Sequence, residues 1–463
     1  MKETPHTNNA SSLWGKISHP KGVKYPVIII SAVIITVLLI LTFFPDPIIN
    51  TFFKDKIIKV VTKAHPEDSL YLGKMHYNVW KNRLTCDSIK LTTNKFTGSA
   101  PSFSISGISW IKILIQGDIT PDNFSGSALD AQDIIINLHQ SHNVLRFRKL
   151  HISVPDSEMA ADSIKYSLAI DDEKFFAKSK FRQTRFRTDI SSVLITGLDC
   201  IKMLQGNAYA AKCINIHDIF TDILVSMDKP YDKNSSNPQM PNEFISSIKE
   251  IVKIDSLRIF NGRLKYSERF NPAAKPGVVS FNNVNISISK IANHTVQSDT
   301  SKIIGEGLFM NLGKMKLLMQ IPLNAKDFSL RYSGSLSGMD ATKLNSFIEP
   351  GEDRRIKSGM LKSAEFNINV IKGHSNGVLY LAYNDLSIDL INKETGSESG
   401  IIDEISSLYG KLFVIRGSNL PDKCGKMKIG NTQYSRRSDD YFFQFIWFAL
   451  RNGIADVVGF TSI

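Results

Sequence analysis

His139 and His142 form H-x-x-H in "LHQSH", a spacing that raises the question of a shared metal ion. On a strand, residues three apart point to opposite faces, so the pair does not read as a ligand set. Cys200 and Cys213 flank Gly206-Asn207, which reads as a two-residue hairpin turn. With Gln205 facing Ala208, Cys200 lies opposite Cys213 at a non-hydrogen-bonded position, where side chains come closest. Two readings stand, a cross-strand disulfide in an oxidising compartment and a pair of small buried thiols. Neither is catalytic, for there is no C-x-x-C and no neighbouring histidine signature. Gly305 and Gly307 in "IIGEGLF" lack the continuation of a phosphate loop. No serine sits in G-x-S-x-G with a plausible Asp and His order. The adjacent acids Asp171-Asp172 and Asp439-Asp440 lie in polar stretches and read as solvated. Nothing here points to an enzyme, a cofactor or a metal.

What the chain offers in abundance is alternation. "VNISIS" places Val284, Ile286 and Ile288 on one face, and "MKLLMQIPL" does the same with Met315, Leu317, Met319, Ile321 and Leu323. "FSISGISW" alternates from Phe103 to Ile108, and "FSLRY", "EFNIN" and "DLSIDL" continue the pattern. "DSLRIFNGRLKYSERF", Asp255 to Phe270, reads as two short strands joined by Asn261-Gly262, with Leu257, Ile259, Leu264 and Tyr266 apolar. Strands with one apolar and one polar face belong to antiparallel sheets whose second face meets water. The expected fold is therefore mainly β: an elongated, curled antiparallel sheet with short amphipathic capping helices.

The 463 residues are 42% hydrophobic and 22% charged, a packed composition. Lys and Arg number 56 against 44 acids, a net charge of +12 that suits an anionic partner. The basic residues are scattered and no nucleic-acid motif accompanies them, which argues against nucleic acid. "YPVIIISAVIITVLLILTFF", Tyr25 to Phe44, carries no charge and is long enough to cross a bilayer. Lys16, Lys21 and Lys24 precede it, so the positive-inside rule predicts a signal anchor with residues 1–24 in the cytoplasm. Residues 45–64 carry Ile48, Ile49, Phe52, Ile57, Val60 and Val61 at helical spacing, a helix that lies on the bilayer or caps the first strands. A first β half covers 65–227, and 228–242, rich in Pro, Asn and Ser, reads as a linker. Asn242 is placed to cap a short helix that opens a second β half, 243–400. Residues 401–463 form a terminal cap with helical patterns at Ile401–Leu412 and Tyr441–Phe460.

The opening "IINTFFKDKIIKVVTK" followed by "LYLGKMHYNVWKNRLTCDSIKLTT", the stretch Asp255 to Phe270 with "PGVVSFNNVNISI", and the region Phe328 to Leu390 together resemble the AsmA family of envelope proteins. The resemblance implies a bacterial inner-membrane protein whose bulk lies in the periplasm. It implies a long sheet with an apolar groove, serving phospholipid movement or outer-membrane assembly without catalytic residues. The chain is short for a bridge across a periplasm, so local shielding of a lipid, or handing it to a partner, fits better. The groove residues expected on this reading are Leu257, Ile259, Leu264, Tyr266, Val284, Ile286, Ile288, Met315, Leu317, Met319 and Ile321. The expected partners are membrane phospholipid and other envelope proteins. A scaffold with a filled interior, binding another protein and no lipid, is the alternative.

Overall fold

The computed structural model describes residues 31–33, 35–36 and 45–459, other than 65, 111, 114–119, 207, 235, 295–298, 326, 353, 392–397 and 400–414. The expected membrane anchor, 25–44, and the helix expected at Ile401–Leu412 lie almost wholly outside the described residues. No helix among the described residues is long and apolar enough to cross a membrane.

The chain folds mainly as strands that join in one large curled sheet. Its first end is a three-stranded antiparallel layer whose strands are each broken once: β1 (Ser69–Leu72) and β2 (Met75–Asn78), β3 (Arg83–Cys86) and β4 (Ile89–Thr92), β5 (Phe96–Ala100) and β6 (Ser102–Ser106). The triplets β1–β4–β5 and β2–β3–β6 lie end to end, and β5 and β6 pair with successive parts of the long strand β7 (Ala128–Leu138). An antiparallel meander then continues through β8 (Asn143–Ser153), β9 (Glu158–Leu168) and β10 (Thr184–Thr196). Two collinear strands, β11 (Ala208–His217) and β12 (Phe220–Ser226), pair with β10. The second half runs β13 (Ile251–Arg269), β14 (Gly277–Ala292), β15 (Thr300–Phe309), β16 (Gly313–Pro322), β17 (Leu330–Asp340), β18 (Arg354–Ile371) and β19 (His374–Ile391), every neighbour antiparallel. Small strands β20 (Glu398–Ser399), β21 (Ile429–Asn431) and β22 (Tyr434–Ser435) finish the far edge.

The sheet is mixed, not purely antiparallel as the alternation suggested. Strand β13 lies parallel to both β11 and β12, in one unbroken register from Ala208↔Ile251 to Ser226↔Arg269. Parallel neighbours need a crossover, and the stretch expected as a linker supplies it. That stretch is packed. Met240 is fully buried, and Asn242 is buried with its amide donating to the carbonyls of Ala325 (3.3 Å) and Asp327 (2.9 Å). Asn242 is therefore not the helix cap. Met240 holds that position and Pro241, with no N–H to satisfy, starts the helix Pro241–Ser247.

Asn261-Gly262 does not reverse the chain either. Asn261 has the expected left-handed backbone, φ 55°, but β13 runs straight through it as one strand of 19 residues. The residues in line with it explain why. Across the pairings, Asp133, Arg148, Ser163, Ser191, Asp218 and Asn261 fall opposite one another, and Asn283 of β14 adjoins the end of the row. Asp133, Ser163, Asp218 and Asn283 share the positive φ, between 49° and 52°. Short polar side chains tolerate this conformation best. The result is a crease across the sheet, one inserted residue per strand, after which alternation resumes in the opposite phase. Asn261 Nδ2 donates to Asp218 Oδ1 along it at 2.7 Å.

Helices cover both ends. The segment Pro45–Ile48, Ile49–Phe53 and Lys54–Ala64 is helical with a π turn in its middle. Of the two placements expected for it, it takes the cap. Ile49, Phe53, Ile57 and Ile58 pack on Leu72, Met75, Leu84 and Cys86. At the other end the helix Phe442–Val458 lies on the sheet, with Phe445 in a core of Met240, Met319, Ile321, Phe328, Leu330, Tyr332, Ile368 and Val370.

Candidate functional site

The residues with chemical promise are dispersed. His139 and His142 stand exposed on the β7–β8 turn and not on a strand, with His139 Nε2 3.0 Å from Thr97 Oγ1. No three His, Cys, Asp or Glu side chains are grouped to hold a metal among the described residues. Cys200 does not face Cys213. Asp199 caps the short helix Cys200–Leu204 by accepting the Lys202 N–H, so the expected hairpin is replaced by a helical turn and Cys213 pairs with Thr196. Both thiols are free, and burial together with the nearby Asp199 charge pushes the Cys200 thiol up. Gly305 and Gly307 are strand residues of β15. The adjacent acids are structural and not simply solvated. Asp171 caps the helix Asp172–Ala177, Asp172 pairs with Arg185 and Arg187, and Asp440 is buried under the Tyr434 hydroxyl.

The second half of the sheet has two distinct faces. On the apolar one, the register lines up Leu257, Ile288, Ile303, Met319, Tyr332 and Ile368. The next row is Ile259, Ile286, Gly305, Leu317, Gly334 and Phe366, and the next holds Val284, Met315, Leu336 and Ala364. Coverage is uneven. Met319 and Ile321, at 4% and 6% exposure, are sealed beneath the C-terminal helix, so these two expected groove residues face packed core. Leu264 and Tyr266 lie beyond the crease, opposite Phe281 and Val279. Tyr266 is mostly buried and its hydroxyl donates to Glu268 at 2.6 Å; burial first, then the Glu268 charge, pushes that hydroxyl well above the usual tyrosine range. The other seven, Leu257, Ile259, Val284, Ile286, Ile288, Met315 and Leu317, are only half-buried. They form one contiguous aliphatic band across β13–β16, to which Ile303 belongs although the sequence reading passed over it.

Glycines shape this band. A Cβ at Gly334 would stand 2.5 Å from the Phe366 ring and 2.5 Å from the Lys316 carbonyl, so only glycine lets the ring lie across β17. A Cβ at Gly305 would meet nothing nearer than 3.7 Å, over Ile286 and Leu317.

The opposite face carries an open trough of about 1150 Å³. It is centred on the row Ile259 to Phe366, but its walls are the rows on either side, and none of the residues two places along the apolar face borders it. One wall has Phe260, Asn285, Glu306, Lys316, Glu365 and Tyr380, and the other Arg258, Ser287, Ile304 and Asn367. Of the expected groove residues only Ile259, Ile286 and Leu317 border this trough. Sequence reasoning missed it because a row of charged and polar residues on the solvent side of a strand carries no periodic signal of its own. No protein-family model matches the chain, and no curated protein matches it.

Proposed function

We propose that the chain is a non-enzymatic, single-pass inner-membrane protein whose sheet lies in the periplasm and shields lipid acyl chains. The N-terminus stays in the cytoplasm and residues 25–44 are the anchor. The observation that carries the reading is the half-buried aliphatic band from Leu257 to Leu317, which the described helices leave partly uncovered while sealing Met319 and Ile321 next to it. A contiguous uncovered apolar face marks an interaction site. Each methylene of a bound chain taken from water is worth about 0.8 kcal/mol, and partial contact permits sliding along the band.

The test is native mass spectrometry of the detergent-purified full chain beside the variant Gly305→Trp. A Cβ at position 305 meets nothing nearer than 3.7 Å, and a large side chain built on it would project over Ile286 and Leu317. Phospholipid carried by the wild type and lost from Gly305→Trp is the expected result. A wild type that neither carries nor exchanges phospholipid overturns the proposal. The trough favours a second reading, a scaffold that holds a protein segment between Lys316, Glu306 and Glu365, with Phe260 and Tyr380 as aromatic contacts. Under that reading Lys316→Glu abolishes partner binding while Gly305→Trp leaves it intact.

A further inference from the structure

We propose that Trp80 is a membrane contact, held by the β2–β3 turn in the headgroup layer of the bilayer from which the chain emerges. The inference deepens the tether reading above and rests on residues 25–44 being the anchor. Trp80 is 86% exposed, more than any other large apolar side chain among the described residues. Its exposure is imposed by a closed turn. Lys81 N–H donates to Asn78 Oδ1 at 2.9 Å, Asn82 N–H to the Val79 carbonyl at 3.2 Å, and Asn82 takes the left-handed φ of 43°. Beneath the turn, Asn82 Oδ1 accepts from both the Tyr77 hydroxyl and the Trp110 indole, each at 2.9 Å. Trp110 is thus held inward against Phe53 and Tyr77 while Trp80 is held out.

The turn also lies where the chain enters the fold. Asn50 binds both backbone groups of Met75, at 2.7 and 2.9 Å, and Asp46 accepts the N–H of Tyr77 at 2.9 Å and contacts His76. Stepping back along the helix from Asn50 to Asp46 is therefore stepping along β2 from Met75 toward Asn78 and Trp80. Pro45, the residue after the apolar segment, sits at that same end. Exposed Lys81 flanks the indole. An indole has an apolar body and one N–H, and it settles where hydrocarbon meets headgroups. Lysine beside it suits the phosphate layer. The same end does not need a protein partner to account for these features.

The experiment reconstitutes the full chain in vesicles of phosphatidylethanolamine and phosphatidylglycerol, with acyl chains brominated near the glycerol or near the methyl end. The chain has 4 tryptophans, so the Trp80 emission is taken as the difference between the wild type and Trp80→Phe. At so exposed a position the substitution leaves the fold intact. The expected result is blue-shifted emission, quenched strongly by the shallow bromine and weakly by the deep one. Vesicles that float with the protein while the Trp80 emission stays red, unquenched by bromine and open to acrylamide, overturn this inference and leave the tether reading standing; the exposed indole then awaits a protein. Failure of the chain to float with the vesicles removes the tether and this contact together.

Discussion

Replacing Asn261 by valine tests the crease. In ordinary strand backbone, valine is among the best residues and glycine among the worst, a gap of about 1 kcal/mol. At φ 55° the order must invert. A β-branched residue forced into the left-handed region costs about 1–2 kcal/mol. Loss of the 2.7 Å Asn261–Asp218 bond adds roughly 0.5–1.5 kcal/mol. Asn261→Val is therefore expected to destabilise by about 2–3 kcal/mol. Asn261→Gly keeps the backbone free and loses only the bond and some chain entropy, about 1 kcal/mol. The assay is thermal and urea unfolding of the full chain followed by far-ultraviolet circular dichroism, with amide exchange of residues 258–264 as the local readout. The ranking of the two variants decides the matter, so strict two-state behaviour is not required. Valine equal to or better than glycine at position 261 would refute the left-handed crease and restore an ordinary strand or a reversing turn.

Two more substitutions probe how the covered part of the sheet is held. Gly334→Ala pushes a methyl into the Phe366 ring and the Lys316 carbonyl. Overpacking of this kind costs about 1–3 kcal/mol, and the double variant Gly334→Ala with Phe366→Leu should recover part of it; an unchanged unfolding midpoint in the single variant refutes the close approach. Burial raises the Glu243 carboxyl, but hydrogen bonds from Arg436 and the Met240 N–H, with the Arg436 charge, outweigh it and hold the group below the usual glutamate range. A depressed folded value contributes stability above the unfolded value of about 4.3 that is lost as pH falls through the folded value. Glu243→Gln should therefore lower stability at neutral pH by about 1–2 kcal/mol, with the gap to wild type closing below about pH 4; a gap that persists in acid rules out the ion pair as its source.

Much of the architecture was legible because alternation is a local signal. Val284, Ile286 and Ile288, and Met315, Leu317, Met319 and Ile321, fall on the apolar face as their spacing predicted. Local signals also misled in an instructive way. Asn261-Gly262 announces a left-handed backbone, which is present, but whether such a residue turns the chain or creases a sheet depends on what lies in register beside it. Asp218 and Asn283, on neighbouring strands, decide that. At Gly206-Asn207 the deciding residue was Asp199, whose carboxylate starts a helix before a hairpin can form. The parallel pairing of β13 with β11 and β12 left no mark on the strands themselves, since it follows from the path of the crossover. Coverage was the least legible property. Met319 and Leu317 look alike in sequence, yet residues far along the chain, Phe445 and Met240 among them, gather around Met319 and leave Leu317 half-buried.

The parallel pairing of β13 has a consequence for how the molecule assembles. Elsewhere in the long meander, neighbouring strands follow one another in sequence, so each half can zip outward from any early hairpin with little loop entropy to overcome. The seam between Ala208–Ser226 and Ile251–Arg269 has no such local start, because the whole stretch from Met227 to Glu250 must first travel back along the sheet. Sealing the seam is thus expected to be a late event of folding, after each half has formed its sequential hairpins.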